Sequence, residues 1–172
     1  MNACAQRGDV AGCDAVLEEM RALGVRPNAV VLNSLLKCLR IRASKSKKGR
    51  GKAGAGGRST SESERESESK RAAERALVVL SELEARKDAD AISYGAAARA
   101  VAASGEGNGC ASAVRAIFAR AAAAGVALNT IVFGALVTAA RREVESLPLE
   151  SRDPESFCSL LDECRGLGLC VG

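Results

Sequence analysis

Apolar residues recur along this chain at helical spacing, in two alternating registers. The first runs Cys13, Val16, Leu17, Met20 and Leu23, closing on Gly24. It returns without gaps as Val114, Ile117, Phe118, Ala121, Ala124 and Gly125, and again as Phe157, Leu160, Leu161, Cys164, Leu167 and Gly168. A further copy, Ala76, Val79, Leu80 and Leu83, loses its apolar end at Arg86 and Lys87. Steps of three and four residues put each set on one helix face. The second register runs Val30, Leu32, Leu35, Leu36 and Leu39; Ile92, Tyr94, Ala97, Ala98 and Val101 align with it, as do Ile131, Phe133, Leu136, Val137 and Ala140.

Between the registers lie helix-stop and helix-start signals. Gly24, Gly125 and Gly168 suit left-handed C-terminal caps, and Pro27 keeps the helix before it from continuing. Asn28, Asp90 and Asn129 stand where an N-cap side chain should accept a backbone hydrogen bond. Asp153-Pro154-Glu155 reads as another start, with a cap, a first-turn proline and a favourable acid.

A fixed alternation of two amphipathic helices is the mark of a repeat protein. The pattern therefore predicts an all-α fold, an α-solenoid of helix-turn-helix units. Its divisions are a partial unit over 1–28, a unit over 29–90 interrupted by an insertion at 43–71, a unit over 91–129, and a unit over 130–172 with a longer loop. Met1 aligns with Leu36 and Cys4 with Leu39, so the first unit begins inside a helix: either a real start with a frayed end or, as expected here, a truncated reading frame. A solenoid presents an extended surface rather than a closed pocket, which points to binding.

The insertion Ala43–Arg71 has no apolar face, so the expectation is disorder. Its charge is sorted into a basic block (Lys45, Lys47, Lys48, Arg50, Lys52, Arg58) and an acidic block (Glu62, Glu64, Glu66, Glu68). The basic block could release counterions from phosphates; a solvated linker is the competing reading. The chain carries a net +4, and the insertion holds all of that excess and more. The remaining residues are close to neutral, unlike a general nucleic-acid-binding surface.

Candidate chemistry is sparse. Histidine is absent and the 7 cysteines contain no C-x-x-C pair. The Cys158, Cys164, Cys170 series is the best approach to a metal site, but Cys13, Cys38 and Cys164 stand where other copies place apolar residues. No metal or cofactor is expected, and free buried thiols imply a reducing compartment. No glycine-rich phosphate loop precedes a lysine, and GAGAGG has no flanking strand, so an enzyme is not expected. No apolar run reaches the roughly 18 residues of a membrane helix.

The phrase EEMRALGVRPN, ending at Asn28, and the opening VVLNSLLK that follows it resemble the pentatricopeptide repeat family, whose units close on Gly-x-x-Pro-Asp/Asn and open on Val-x-Tyr-Asn. The resemblance implies binding of single-stranded RNA at about one base per repeat, read by a few side chains. By this resemblance one reading position falls at Asn33, Gly95 and Gly134, the other at Asn28, Asp90, Asn129 and Gly172. Val30, Ile92 and Ile131 would pack on the bases, with burial in the core as the competing role. Asn33 with Asp90 is the intact pair, and in the family that pairing favours uridine; Gly95 and Gly134 have no side chain to read with. Capping of the following helix is the competing role for Asn28, Asp90 and Asn129. The resemblance further implies RNA processing, stability or translation in a mitochondrion or chloroplast. The alternative is a protein–protein interaction scaffold.

Overall fold

The computed structural model describes residues 1–45, 62–104, 110–127, 134–139 and 141, and these are helical apart from short turns. The helices are α1 (Asn2–Arg7), α2 (Val10–Ala22), α3 (Ala29–Lys45), α4 (Glu62–Ala85), α5 (Ala91–Ser104) and α6 (Cys110–Ala123), followed by a helical stretch over 134–139. The described residues contain no strand. The fold class expected from the apolar registers is thus met at the level of an all-α protein.

Local signals set the boundaries. Asp9 caps α2 by accepting from the Gly12 amide at 3.0 Å, and Asn28 caps α3 by accepting from the Val31 amide at 3.0 Å. Gly24 and Gly125 end α2 and α6 with φ of 69° and 70°, the left-handed conformation that costs glycine nothing. At the end of α4 the same position is Lys87, which adopts φ 60°. Its turn closes with the same bonds: the Asp88 amide donates to the Leu83 carbonyl at 2.9 Å, as Val25 donates to Met20 at 2.8 Å.

Successive odd-numbered helices pack side by side: α1 on α3, and α3 on α5. Each also pairs with the helix that follows it. The even-numbered helices form a second row joined by ion pairs. Arg75 of α4 donates to Asp14 of α2 at 2.8 Å; Arg120 of α6 donates from Nε to Glu84 of α4 at 3.0 Å. The core lies between the rows and contains Leu32, Leu35, Leu36 and Leu39 of α3, Ala76, Val79, Leu80 and Leu83 of α4, and Tyr94 and Ala97 of α5. Val114, Ile117 and Phe118 of α6 complete it. Cys13 and Cys38 are buried free thiols. Burial, then the neighbouring Cys13, pushes Cys38 up to about 12, so the thiol behaves as a small apolar group.

Two departures from the sequence reading bear on the site. First, the segment expected to be disordered over 43–71 is helical at both described ends. α3 continues through Lys45 and α4 begins at Glu62. Ala43 and Ser69 are buried, and the Ser69 hydroxyl donates to the Ala43 carbonyl at 3.1 Å. Arg42 pairs with Glu68 beside them. The acidic block opens α4, where carboxylates favour the helix dipole, and Glu66 meets Lys70 one turn on at 2.6 Å. Residues 46–61, with most of the basic block, lie outside the described residues. Second, Arg86, where the apolar register fails, donates to the Pro27 carbonyl at 2.6 Å and pairs with Glu82. It ties the turn that precedes α3 to the end of α4.

Candidate nucleic-acid interface

Asp90 ends the turn after α4 and caps α5. Its Oδ1 accepts from the Ser93 amide at 2.8 Å, and its own amide donates to the Ser93 hydroxyl oxygen at 3.3 Å. This is a reciprocal capping arrangement with serine in place of the usual glutamate. Because Arg86 holds the turn before α3 against the end of α4, the first turns of α3 and α5 lie side by side. Asn33 of α3 thereby reaches Asp90, its Nδ2 donating to Oδ1 at 3.5 Å.

Ser93 completes a three-residue cluster. Its Oγ stands 2.7 Å from Asn33 Oδ1 and 2.8 Å from Asp90 Oδ1. A hydroxyl carries one proton, and Asp90 Oδ1 already accepts from the Ser93 amide. The consistent assignment sends the Ser93 proton to Asn33 Oδ1. That choice orients the Asn33 amide with its NH₂ toward the carboxylate, leaving one N–H of Asn33 and Oδ2 of Asp90 for an outside partner.

Around this cluster the α3–α5 groove encloses about 490 Å³. Val30 and Ile92 stand on its walls, 72% and 66% exposed. They share the apolar character of Leu32 and Tyr94, yet those are buried. Two residues along a helix turn the side chain through about 200°, so Val30 and Ile92 face the groove while Leu32 and Tyr94 face the core. Among the described residues the groove lining carries Lys37, Arg40 and Arg99 against one acid, Asp90. Val30, Asn33, Lys37 and Arg40 follow one another at steps of three and four, a single stripe of α3. Burial and the neighbouring Arg99 pull Arg40 below the usual arginine value.

Tyr94 lies behind the groove, on the core side of α5. Its hydroxyl is buried with no hydrogen bond of good geometry, although the Glu84 carboxylate lies beside it and, after burial, raises the phenol to about 12. Burial acts to raise Glu84, but Arg120 and Tyr94 outweigh it and hold the carboxyl below its usual range.

The candidate residues named from sequence thus divide. Asn33, Asp90, Val30 and Ile92 come together in one groove. Asn28 caps α3 and does not line that groove. Asn129 and Ile131 lie outside the described residues. Gly95 lines the groove without a side chain. Gly134 lines an adjoining groove of about 290 Å³, with nothing within 4 Å of where a Cβ would stand. Sequence reading missed Ser93, Lys37, Arg40 and Arg99; extending the Asn33 stripe by whole turns would have found the α3 cations.

Among the described residues no group of three metal-ligating side chains converges, and no helix is long and apolar enough to cross a membrane. Comparison with known proteins yields no matching family model, no matching curated protein and no matching solved structure.

Proposed function

We propose that this chain is an α-solenoid of pentatricopeptide-type repeats that binds single-stranded RNA in the groove between α3 and α5. The observation that carries the proposal is the grouping of exposed Val30 and Ile92 with the Asn33–Asp90 pair and the cations that line the same groove. Two aliphatic side chains flanking a polar pair can sandwich a base and contact its edge. Covering either aliphatic fully is worth about 1.5–3 kcal/mol, so they supply affinity. Asn33 and Asp90 already bond to each other and to Ser93, so their net contribution is selectivity: a base edge must match the one N–H and the carboxylate oxygen still free. Uridine is the base this reading assigns. Processing, stabilisation or translation of organellar RNA is the wider role that follows from the same reading.

The test separates the groove from the charge of the insertion. Residues 46–61 are replaced by a short linker, keeping Ala43 and Ser69 so that the α3–α4 corner stays closed. Oligo-U and oligo-A binding are then compared in that chain and in its Asn33→Ala variant. Uridine-preferring binding that Asn33→Ala weakens by about 1 kcal/mol or more supports the reading. Binding that disappears with residues 46–61 refutes it and leaves nonspecific electrostatics. The second reading, a protein-binding scaffold, draws on the mutual satisfaction of Asn33, Asp90 and Ser93, which leaves an apolar-walled groove suited to a helix.

A further inference from the structure

The α3–α5 groove and the adjoining groove toward residues 134–139 meet at two side chains. Arg40 and Arg99 line both. They come from neighbouring helices, and neither forms an ion pair with another described residue. That sets them apart from Arg42, Arg75 and Arg120, which bridge helices through carboxylates. Holding two guanidinium groups close, half-buried and without an acid between them opposes folding. Among the described residues the adjoining groove offers no compensating acid: its other lining residues there are Ser44, Ala102, Ala103, Gly134, Ala135 and Thr138. An anion from outside would neutralise such a pair. Guanidinium suits phosphate because its fork of N–H donors matches two phosphate oxygens.

We propose that Arg40 and Arg99 form a phosphate clamp that holds one phosphodiester of a single strand running from the Asn33–Asp90 cluster toward residues 134–139. The proposal rests on the RNA reading above and adds the strand's path to it. An internal diester fits better than a terminal phosphate because open groove continues on both sides of the pair. On one side stand the groups able to read a base. On the other the wall is mostly small residues, so the strand passes there held by its backbone.

The test uses the full chain and a labelled oligo-uridine, with affinity measured across a series of salt concentrations. Arg40→Gln combined with Arg99→Gln should make the salt dependence shallower by about 0.7 in slope for each phosphate no longer neutralised. Affinity at low salt should fall about tenfold or more. The preference for uridine over adenosine should persist, because Asn33 and Asp90 are untouched. Arg99→Lys keeps the charge and should keep the slope. Melting temperature should hold or rise in the double variant, since a like-charge pair is removed. Because residues 46–61 are present in every protein compared, their contribution cancels. An unchanged slope in the double variant, with uridine binding intact, overturns the clamp and leaves the RNA reading standing. A sharp drop in melting temperature assigns the pair a structural role and also overturns it. Absence of RNA binding by the unmodified chain removes the RNA reading and the clamp together.

Discussion

Between α3 and α5 the groove presents Val30, Ile92, Asn33 and Asp90; between α5 and residues 134–139 it presents Ala102, Ala103, Gly134 and Thr138. The two junctions share α5 as a wall and are both lined by helix positions in the same register. One carries an apolar sandwich and a bonded polar pair, the other mostly methyl groups and a glycine. Backbone placement is therefore common to both, and what distinguishes the junctions is a few side chains that can be exchanged without altering the helices.

The largest expected effect comes from the wall the junctions share. Tyr94→Ala should cost about 3–5 kcal/mol by leaving a cavity behind α5, seen as a lowered denaturation midpoint. Tyr94→Phe, which removes only a hydroxyl lacking a good partner, should be near neutral. A smaller effect separates the junctions. Ser93→Ala leaves the Asn33 amide without its orienting donor and should narrow the difference between oligo-U and oligo-A affinities by about 1 kcal/mol. Stability should fall by a comparable amount from the weakened cap. The opposite experiment is Gly134→Asn. Its side chain enters open space, so stability should change by less than about 1 kcal/mol, and a gain in RNA affinity would give the second junction what the first has.

Smaller still is a pH effect in the row that supports both junctions. Glu84 is held below its usual value of 4.5, chiefly by Arg120. A depressed carboxyl contributes stability above its unfolded pKa and loses it as pH falls through its folded one. Glu84→Gln should therefore destabilise the protein near neutrality, by about 1 kcal/mol for a partly exposed pair. The deficit should begin to shrink as pH drops below about 4.5 and vanish once pH is below the lower folded value, as followed by chemical denaturation at several pH values. Last, Lys87→Gly should stabilise by up to about 1 kcal/mol, because φ 60° strains lysine and not glycine, with groove binding unchanged. A fall in stability there would mean that the lysine side chain contributes more than its backbone costs.

The buried faces were legible because spacing encodes direction. Leu32, Leu35, Leu36 and Leu39 fall on one side of α3 by arithmetic alone, and the core follows from it. The same arithmetic placed Val30 and Ile92 in the register beside core positions; spacing alone does not separate them, and their exposure shows that they stand outside the core. Polar composition misled at Ala43–Lys45 and Glu62–Arg71, since serine, glutamate, lysine and arginine suit a solvated helix as well as a coil. What decides is whether a neighbour such as Ala43 offers a carbonyl to Ser69, and that neighbour is distant in sequence. Arg86 read as the loss of an apolar position for a similar reason: its acceptor is a backbone oxygen at Pro27. Net charge hid the basic lining of the groove. Summing over the chain averages Lys37, Arg40 and Arg99 with acids that face elsewhere.

The closure at the α3–α4 corner has a consequence for the chain as a covalent object. Asn33 and Asp90 are 57 residues apart in sequence, yet what brings them together is the side-by-side packing of α3, α4 and α5, fastened at one end by Ser69 on Ala43 and at the other by Arg86 on Pro27. None of these interactions uses residues 46–61. A molecule cut within that segment, in two pieces ending near Lys45 and beginning near Glu62, should on these contacts alone reassociate and recover the same junction. The corner would then be a seam, and the reunion of the two pieces, followed by the recovery of helix content on mixing, is the measurement that checks it.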